Sequence, residues 1–145
     1  MYHLHAVDPT EIYAFVIMPN HLHAIIRCPE DDPVSDVARD LESNMARLIV
    51  RQFQAEGNDR VLDFLAAAVT RPKRQKYKVW EDGYSAKNVF SVDFLRQKMP
   101  YIHSNPLQPH WQLADSPEAY VWSSARFCLL GEPALIPLSD AGELF

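Results

Sequence analysis

The sequence has few cysteines and glycines, no long apolar run and no excess of basic charge. No stretch approaches the roughly 20 apolar residues that span a bilayer, and the N-terminus lacks the basic start and apolar stretch of a signal peptide. Cys28 and Cys128 cannot build a disulfide framework and are typical of a reducing compartment. These absences predict a cytoplasmic protein.

The composition is that of an ordinary globular protein with an uneven distribution of charge. Its 145 residues, 48% hydrophobic and 23% charged, predict a single domain over 1–145. The net charge of −5 argues against general nucleic-acid affinity, because binders usually carry a basic face. Residues 71–104, however, carry eight bases and three acids, which gives +5 and leaves −10 elsewhere. This asymmetry could attract a polyanion, although a solvated loop with a few lysines has the same pattern.

The N-terminal third of the chain predicts a β-hairpin followed by a helix. Residues 12–18 and 21–27 are rich in β-branched and aromatic side chains and flank the turn-forming pair Pro19 and Asn20. Asp32 and Pro33 then predict an N-cap and a first helical position, and apolar residues at helical spacing continue the helix to about residue 54.

The rest of the chain predicts shorter elements. Residues 61–69 favour a second helix, and 79–90 favour a strand or extended segment with a kink at Gly83. Ser91 caps a third helix, which ends at Asn105–Pro106 because the residue before proline avoids helical geometry. One face of this helix is apolar, through Val92, Leu95, Met99 and Ile102. The remaining residues predict an irregular tail with a short helix near 123–129.

His21 and His23 form a candidate metal-binding pair. They flank Leu22, and alternate residues of a strand point to the same face, so the two imidazoles can share a divalent metal. Two histidines supply half of a site, and a third ligand with open positions for substrate oxygens is needed. A His-x-His pair is often incidental, and residues 3–5 repeat it. Only the second copy follows an apolar strand and a Met-Pro-Asn turn.

The third helix offers a complementary pair, Tyr101 and Asn105. The two residues are one turn apart, to one side of the apolar stripe and with Lys98 nearby, so we expect them at the rim of the sheet. A phenol with a pKa of ~10 needs a metal or cation to act as a nucleophile, and an asparagine can lend its carbonyl oxygen to a hard cation. Alternatively, Tyr101 is an amphipathic anchor and Asn105 a C-terminal cap.

Four segments resemble those of a known family in order and spacing. They are residues 13–23 (Tyr-Ala-Phe-Val-Ile-Met-Pro-Asn-His-Leu-His), 80–84 (Trp-Glu-Asp-Gly-Tyr), 101–106 (Tyr-Ile-His-Ser-Asn-Pro) and 120–125 (Tyr-Val-Trp-Ser-Ser-Ala). They are similar to segments of the REP-associated tyrosine transposases, which are IS200-like members of the single-tyrosine HUH superfamily. The resemblance covers most of the chain. It implies an α+β, ferredoxin-like antiparallel sheet with helices on one face, and a protein that often dimerises.

The resemblance also implies an activity and a set of site residues. His21, His23 and Asn105 correspond to the metal ligands, with Mg²⁺ or Mn²⁺ as cofactor, and Tyr101 to the nucleophile. The implied reaction nicks single-stranded DNA near palindromic hairpins and leaves a 5′-phosphotyrosine link and a free 3′-hydroxyl. The basic side chains offered as DNA contacts are Lys73, Arg74, Lys76, Lys78 and Lys98.

Two departures from the family pattern bear on activity. Only eleven residues precede the strand at Ile12, so the family's first strand and helix are missing and the sheet should have an unpaired edge or an exposed apolar face. We expect a truncated product, a mis-set start codon, or an edge completed by a second copy of the chain. Pro100 directly precedes Tyr101, removes one helical hydrogen bond and should kink the helix, which either aims or misplaces the phenol.

Two other functions are compatible with the same residues. One is a DNA-hairpin-binding remnant that has lost catalysis, and the other is a hydrolase in which His21 and His23 activate water through a metal.

His103 is two residues from Tyr101 and should point away from the site as a structural residue. The aromatic residues Trp80, Tyr84, Trp111 and Trp122 could stack on bases, but in a small domain packing in the core is the more usual role.

Overall fold

The computed structural model describes residues 10–30, 33–89 and 91–144. Within them, the strands are β1 (Glu11–Ile17) and β2 (Leu22–Arg27), and the helices are α1 (Val34–Ala55), α2 (Asp59–Ala67), α3 (Val92–His103) and α4 (Ala125–Leu130). Short 3₁₀ helices occupy Asn105–Leu107, Pro117–Ala119 and Ala141–Leu144. The fold is α+β, and its two-stranded antiparallel sheet is consistent with part of a ferredoxin-like fold. The described part of the chain contains no helix that is long and apolar enough to cross a membrane.

The chain divides into two compact units. One lies within residues 1–30 and 87–145, and the other within residues 31–86. The first contains the sheet, α3, α4 and the C-terminal segments, and the second contains α1 and α2.

The predicted hairpin is confirmed. The strands pair antiparallel, with Val16 opposite His23 and Ile17 opposite Leu22. The Met18 amide donates to the His21 carbonyl at 2.8 Å, which closes the turn through Pro19 and Asn20. A register shift between Ile12 and Ala14 adds one residue to β1, as in a β-bulge. The register puts His23 on the face of the sheet that also carries Val16.

The core of this unit lies between β1 and α3. Residues 13–16 of β1 are all buried, so both faces of the strand are covered. The apolar stripe predicted for α3 is confirmed, with Leu95 and Ile102 buried and Met99 packed against the same cluster. Ser91 caps the helix as predicted, since its hydroxyl accepts from the Phe94 amide at 3.2 Å. Pro100 lies inside α3, which continues to His103.

The C-terminal segments bind the outer edge of β1. Three backbone hydrogen bonds join them: Ile17 N to Trp122 O at 2.8 Å, Ser124 N to Phe15 O at 2.9 Å, and Ser139 N to Ile12 O at 2.9 Å. The edge of β1 is therefore paired in part. On the outer edge of β2, no backbone hydrogen bond joins residues 22–27 to any other described segment.

A buried hydrogen-bond network connects α3, β1 and the start of α4. The Ser124 hydroxyl oxygen lies 2.8 Å from His103 Nε2 and accepts from the Phe15 amide at 2.9 Å. The same hydroxyl donates to the Phe15 carbonyl at 3.2 Å, so using all three contacts requires His103 Nε2–H to donate. Burial lowers the pKa of His103, which favours this neutral form. The prediction that His103 is structural is confirmed.

Replacing Ser124 by alanine should lower the free energy of unfolding by about 1–3 kcal/mol, because His103 and the Phe15 amide would lose their buried partner. Denaturant unfolding measures the change. Ser85→Ala, in an exposed position, should stay within about 0.5 kcal/mol of wild type. Equal stabilities of the two variants would contradict the role assigned to the network.

The second unit is a pair of helices followed by an irregular segment. Helix α1 begins at Val34, with Pro33 at the N-cap rather than the first helical position, and the predicted cap Asp32 lies outside the described residues. Trp80 Nε1 donates to the Glu42 carbonyl at 2.9 Å, which ties the segment to α1. No strand forms over the described residues 79–89, so that alternative is wrong. Gly83 has φ +87°, which fits the predicted kink, because few other residues adopt this conformation.

Candidate metal and nucleophile site

The two histidines of the Met-Pro-Asn-His-Leu-His motif lie side by side. Their ring centroids are 5.0 Å apart and the rings are almost perpendicular, at 77°. The Asn20 side-chain oxygen lies 2.6 Å from His21 Nδ1, so Nδ1–H is the donor and Nε2 is left as the metal-binding atom. Burial lowers the pKa of His23, and the neighbouring His21 lowers it further. Both effects favour the neutral imidazole, which is the form that binds a metal.

Tyr101 lies next to this pair. Its ring centroid is 5.8 Å from that of His23, and 52% of the residue is exposed, so part of the side chain is accessible from solvent. The Lys98 ammonium lies 5.4 Å from the centre of the Tyr101 ring. The packing of α3 on β1 therefore brings together the phenol, a cation and the two imidazoles.

Asn105 is more buried than expected. It is the first residue of the 3₁₀ helix that follows α3, and it is 7% exposed, so the prediction that it lies at the rim is wrong. Its side-chain nitrogen donates to the Tyr101 carbonyl at 3.0 Å, which is the capping role considered as an alternative. That bond also fixes the orientation of the Asn105 side-chain amide, with its nitrogen towards the Tyr101 carbonyl. Within the described residues the Asn105 Oδ1 atom has no hydrogen-bond partner, so it is the atom left for a cation.

Trp111 is a neighbour of the site that sequence reasoning did not place there. Its ring centroid is 6.0 Å from that of His21, and the residue also packs against the hydrophobic core. No spacing or motif connects Trp111 with His21, because the contact depends on the path of the chain after α3.

The basic side chains that are candidate DNA contacts differ in whether they are exposed and unpaired enough to bind a phosphate. Lys73, Arg74 and Lys76 are exposed in the second unit. Lys78 is bound to Asp82 at 2.9 Å, and its side chain is only 16% exposed. The Lys78 ammonium also lowers the pKa of the Asp82 carboxyl, so this lysine is already neutralised. Lys98, in the same unit as the histidines, lies beside Tyr101.

The side chains that could act as metal ligands limit the kind of metal site that is possible. Among residues 10–30, 33–89 and 91–144, no three His, Cys, Asp or Glu side chains are grouped closely enough to hold a metal. A site at His21 and His23 therefore needs a ligand of another kind, and Asn105 offers an amide oxygen. Two imidazoles and one amide leave coordination positions open, which suits a cation that also binds substrate oxygens. His3 and His5 lie outside the described residues.

Comparison with known proteins finds a match between part of the chain and one family model. Residues 3–63 match the family model described as "Transposase IS200 like". The matched segment contains His21 and His23 and ends before Tyr101. No curated protein and no solved structure matches the chain. This match supports the IS200-like resemblance over residues 3–63, and with it a DNA-directed activity of the transposase type.

Proposed function

We propose, from the similarity of residues 3–63 to the IS200-like transposase family, that the chain is a metal-dependent single-stranded DNA endonuclease and strand-transferase. Its substrate is DNA near a palindromic hairpin, and Tyr101 is its nucleophile. The observation that carries the proposal is the position of the Tyr101 ring, 5.8 Å from His23 and 5.4 Å from the Lys98 ammonium. A half-exposed phenol ring next to an imidazole and a cation supports a role beyond packing.

The proposed step is a transesterification at one phosphodiester. The Tyr101 oxygen attacks the phosphorus, the bond from phosphorus to the 3′-oxygen breaks, and the DNA 5′-phosphate becomes linked to the tyrosine. The phenol loses its proton to solvent and the departing 3′-oxygen gains one, so atoms and charge balance. The phosphotyrosine keeps the energy of the phosphodiester, and the reverse attack by a 3′-hydroxyl rejoins the strand without ATP.

His21, His23 and Asn105 are the residues that would hold the metal. A bound Mg²⁺ or Mn²⁺ would supply polarisation of the scissile phosphate and stabilise charge on its oxygens. The Asn20 oxygen orients His21, and the Tyr101 carbonyl orients the Asn105 amide, as outer contacts orient the ligands of metal sites. Lys98 adds positive charge on the tyrosine side, where it can attract the phosphate and stabilise the phenolate.

The proposal is tested by the mass of the intact protein. We would incubate it with Mn²⁺ and single-stranded oligonucleotides that carry palindromes from its genomic neighbourhood. The expected result is a mass increase equal to the DNA fragment 3′ to the cut, with the modified peptide containing Tyr101. Cleavage without an adduct would favour the metal-assisted hydrolase, and hairpin binding without cleavage would favour the inactive binding remnant. Either outcome contradicts the proposed mechanism.

The basic segment should contribute to binding through charge alone. Replacing Lys73 and Arg74 together by glutamine should reduce the slope of log affinity against log salt by about 1.4, since each phosphate contact with a single strand contributes ~0.7. Fluorescence anisotropy of a labelled oligonucleotide over a range of salt measures the slope. Arg39→Gln is the matched control, because the Arg39 guanidinium is already paired with Asp36 and Asp40. An unchanged slope in the double variant would remove these residues from the DNA interface.

A further inference from the structure

We propose that Trp111 forms a stacking subsite for a nucleobase beside the metal and nucleophile site. The inference rests on the proposed function and deepens it, because it names the part of the substrate that is bound next to the reacting phosphate. The ligand class is an unpaired base of single-stranded DNA.

The geometry makes Trp111 part of a continuous row of rings. The ring centroids are 6.0 Å apart between Trp111 and His21, 5.0 Å between His21 and His23, and 5.8 Å between His23 and Tyr101. His110 extends the row beyond Trp111, at 5.5 Å. A phosphate held at the histidines would therefore have the indole on one side and the Tyr101 phenol on the other.

The surroundings of Trp111 hold the indole in place. The residue packs against the hydrophobic core and is half-buried, so a base that stacks on it meets a surface that is already ordered. Its amide donates to the Gln108 carbonyl at 2.8 Å, and the Leu113 amide donates to the Pro106 carbonyl at 2.8 Å. These bonds close the turn that carries the indole.

Backbone strain occurs in the same turn. Gln112, which directly follows Trp111, has φ +47° and is the one non-glycine residue with positive φ in the described part of the chain. This conformation is unfavourable for a residue with a side chain, and such strain is concentrated at functional sites. A turn needed only to connect α3 to the C-terminal segments could have relaxed or used glycine here.

Chemistry favours a base over other ligands at this position. Stacking on an indole is available to every base and needs no specific hydrogen bonds. In duplex DNA both faces of a base are already stacked, so this subsite selects unpaired nucleotides. The half-buried Trp111 beside the proposed metal ligands therefore gives a physical reason why the substrate should be single-stranded.

The test compares two oligomers that differ only in their bases. One is twelve-nucleotide oligo(dT), and the other is a twelve-nucleotide abasic chain with the same phosphates. We expect wild type to bind oligo(dT) more tightly, and Trp111→Leu to lose about tenfold in affinity for oligo(dT) while its affinity for the abasic chain stays the same. Leucine keeps an apolar side chain against the core, and Trp111→Phe, with a smaller ring, should be intermediate. The matched control is Trp122→Leu, since Trp122 is 55% exposed and should leave both affinities unchanged.

Each other outcome is decisive. If Trp111→Leu keeps the preference for oligo(dT), the subsite is overturned, and the proposed function stands as long as the Tyr101 adduct forms. If the variant loses affinity equally for both oligomers, Trp111 is a structural residue and the subsite is again overturned. If wild type binds oligo(dT) no more tightly than the abasic chain, or binds neither, the subsite is overturned, and the proposed function is decided separately by the Tyr101 adduct on a palindromic oligonucleotide.

Discussion

Tyr101→Phe should reduce DNA cleavage by at least about a thousandfold, a loss of more than ~4 kcal/mol of transition-state stabilisation. The variant lacks only the oxygen that attacks the phosphorus. Because the side chain is half-exposed and no hydrogen bond to its hydroxyl is found in the described residues, the fold should be unaffected. The measurement is the rate of nicking of a labelled hairpin oligonucleotide in Mn²⁺, followed by gel electrophoresis.

The matched control for this prediction is Tyr84→Phe. Tyr84 is 49% exposed, close to the value for Tyr101, and lies outside the unit that contains the histidines. We expect this variant to cleave at the wild-type rate, and both variants to bind the hairpin with wild-type affinity. Residual cleavage in Tyr101→Phe within tenfold of wild type would show that another group, such as an activated water, attacks the phosphate.

The second large effect is expected on metal binding. His23→Ala should weaken Mn²⁺ binding by at least about a hundredfold, because the loss of an outer contact alone can cost 10–100-fold and a direct ligand is worth more. Isothermal titration calorimetry measures the affinity without any DNA. Asn105→Ala should reduce affinity less, since it removes one weaker oxygen ligand and leaves the imidazole pair intact.

The control variant for the metal-binding prediction is His110→Ala. His110 is exposed and its ring lies next to Trp111, so the variant removes an imidazole from the same unit without touching the proposed ligands. We expect unchanged Mn²⁺ affinity. A His23→Ala variant that binds Mn²⁺ as tightly as wild type would contradict the assignment of the site, whatever its effect on cleavage.

The parts of this fold that depend on neighbouring residues could be predicted from the sequence. The alternation of apolar residues around Pro19 and Asn20 predicts the hairpin, and the strand period puts His21 and His23 on one face. Ser91 and the apolar spacing after it predict α3 with its buried stripe. In each case the relevant interactions lie within a few residues of one another, so the local pattern contains the needed information.

The parts that depend on long-range contacts could not be predicted in this way. The burial of Asn105 follows from the switch to a 3₁₀ helix after α3, and helical spacing alone put the residue at the rim. The contact of Trp111 with His21 spans 90 residues of sequence and depends on a turn with an unusual backbone conformation. Resemblance to a family supplied the roles of Tyr101 and Asn105, which spacing alone left open.

The pairing of β1 with the C-terminal segments determines the order in which the chain can fold during synthesis. The Phe15 amide and the Ser124 hydroxyl that bind one another are 109 positions apart, and Ser139 closes the strand near Ile12. The helices of residues 31–86 contact one another locally and can form as soon as they leave the ribosome, because short loops close quickly. The hairpin that carries the histidines is itself local, but the outer edge of β1 stays unpaired until Trp122, Ser124 and Ser139 have been synthesised. A polypeptide that ends before these residues therefore lacks the hydrogen bonds that close the outer edge of β1, and we expect the strand beside the histidine pair to be less ordered in it.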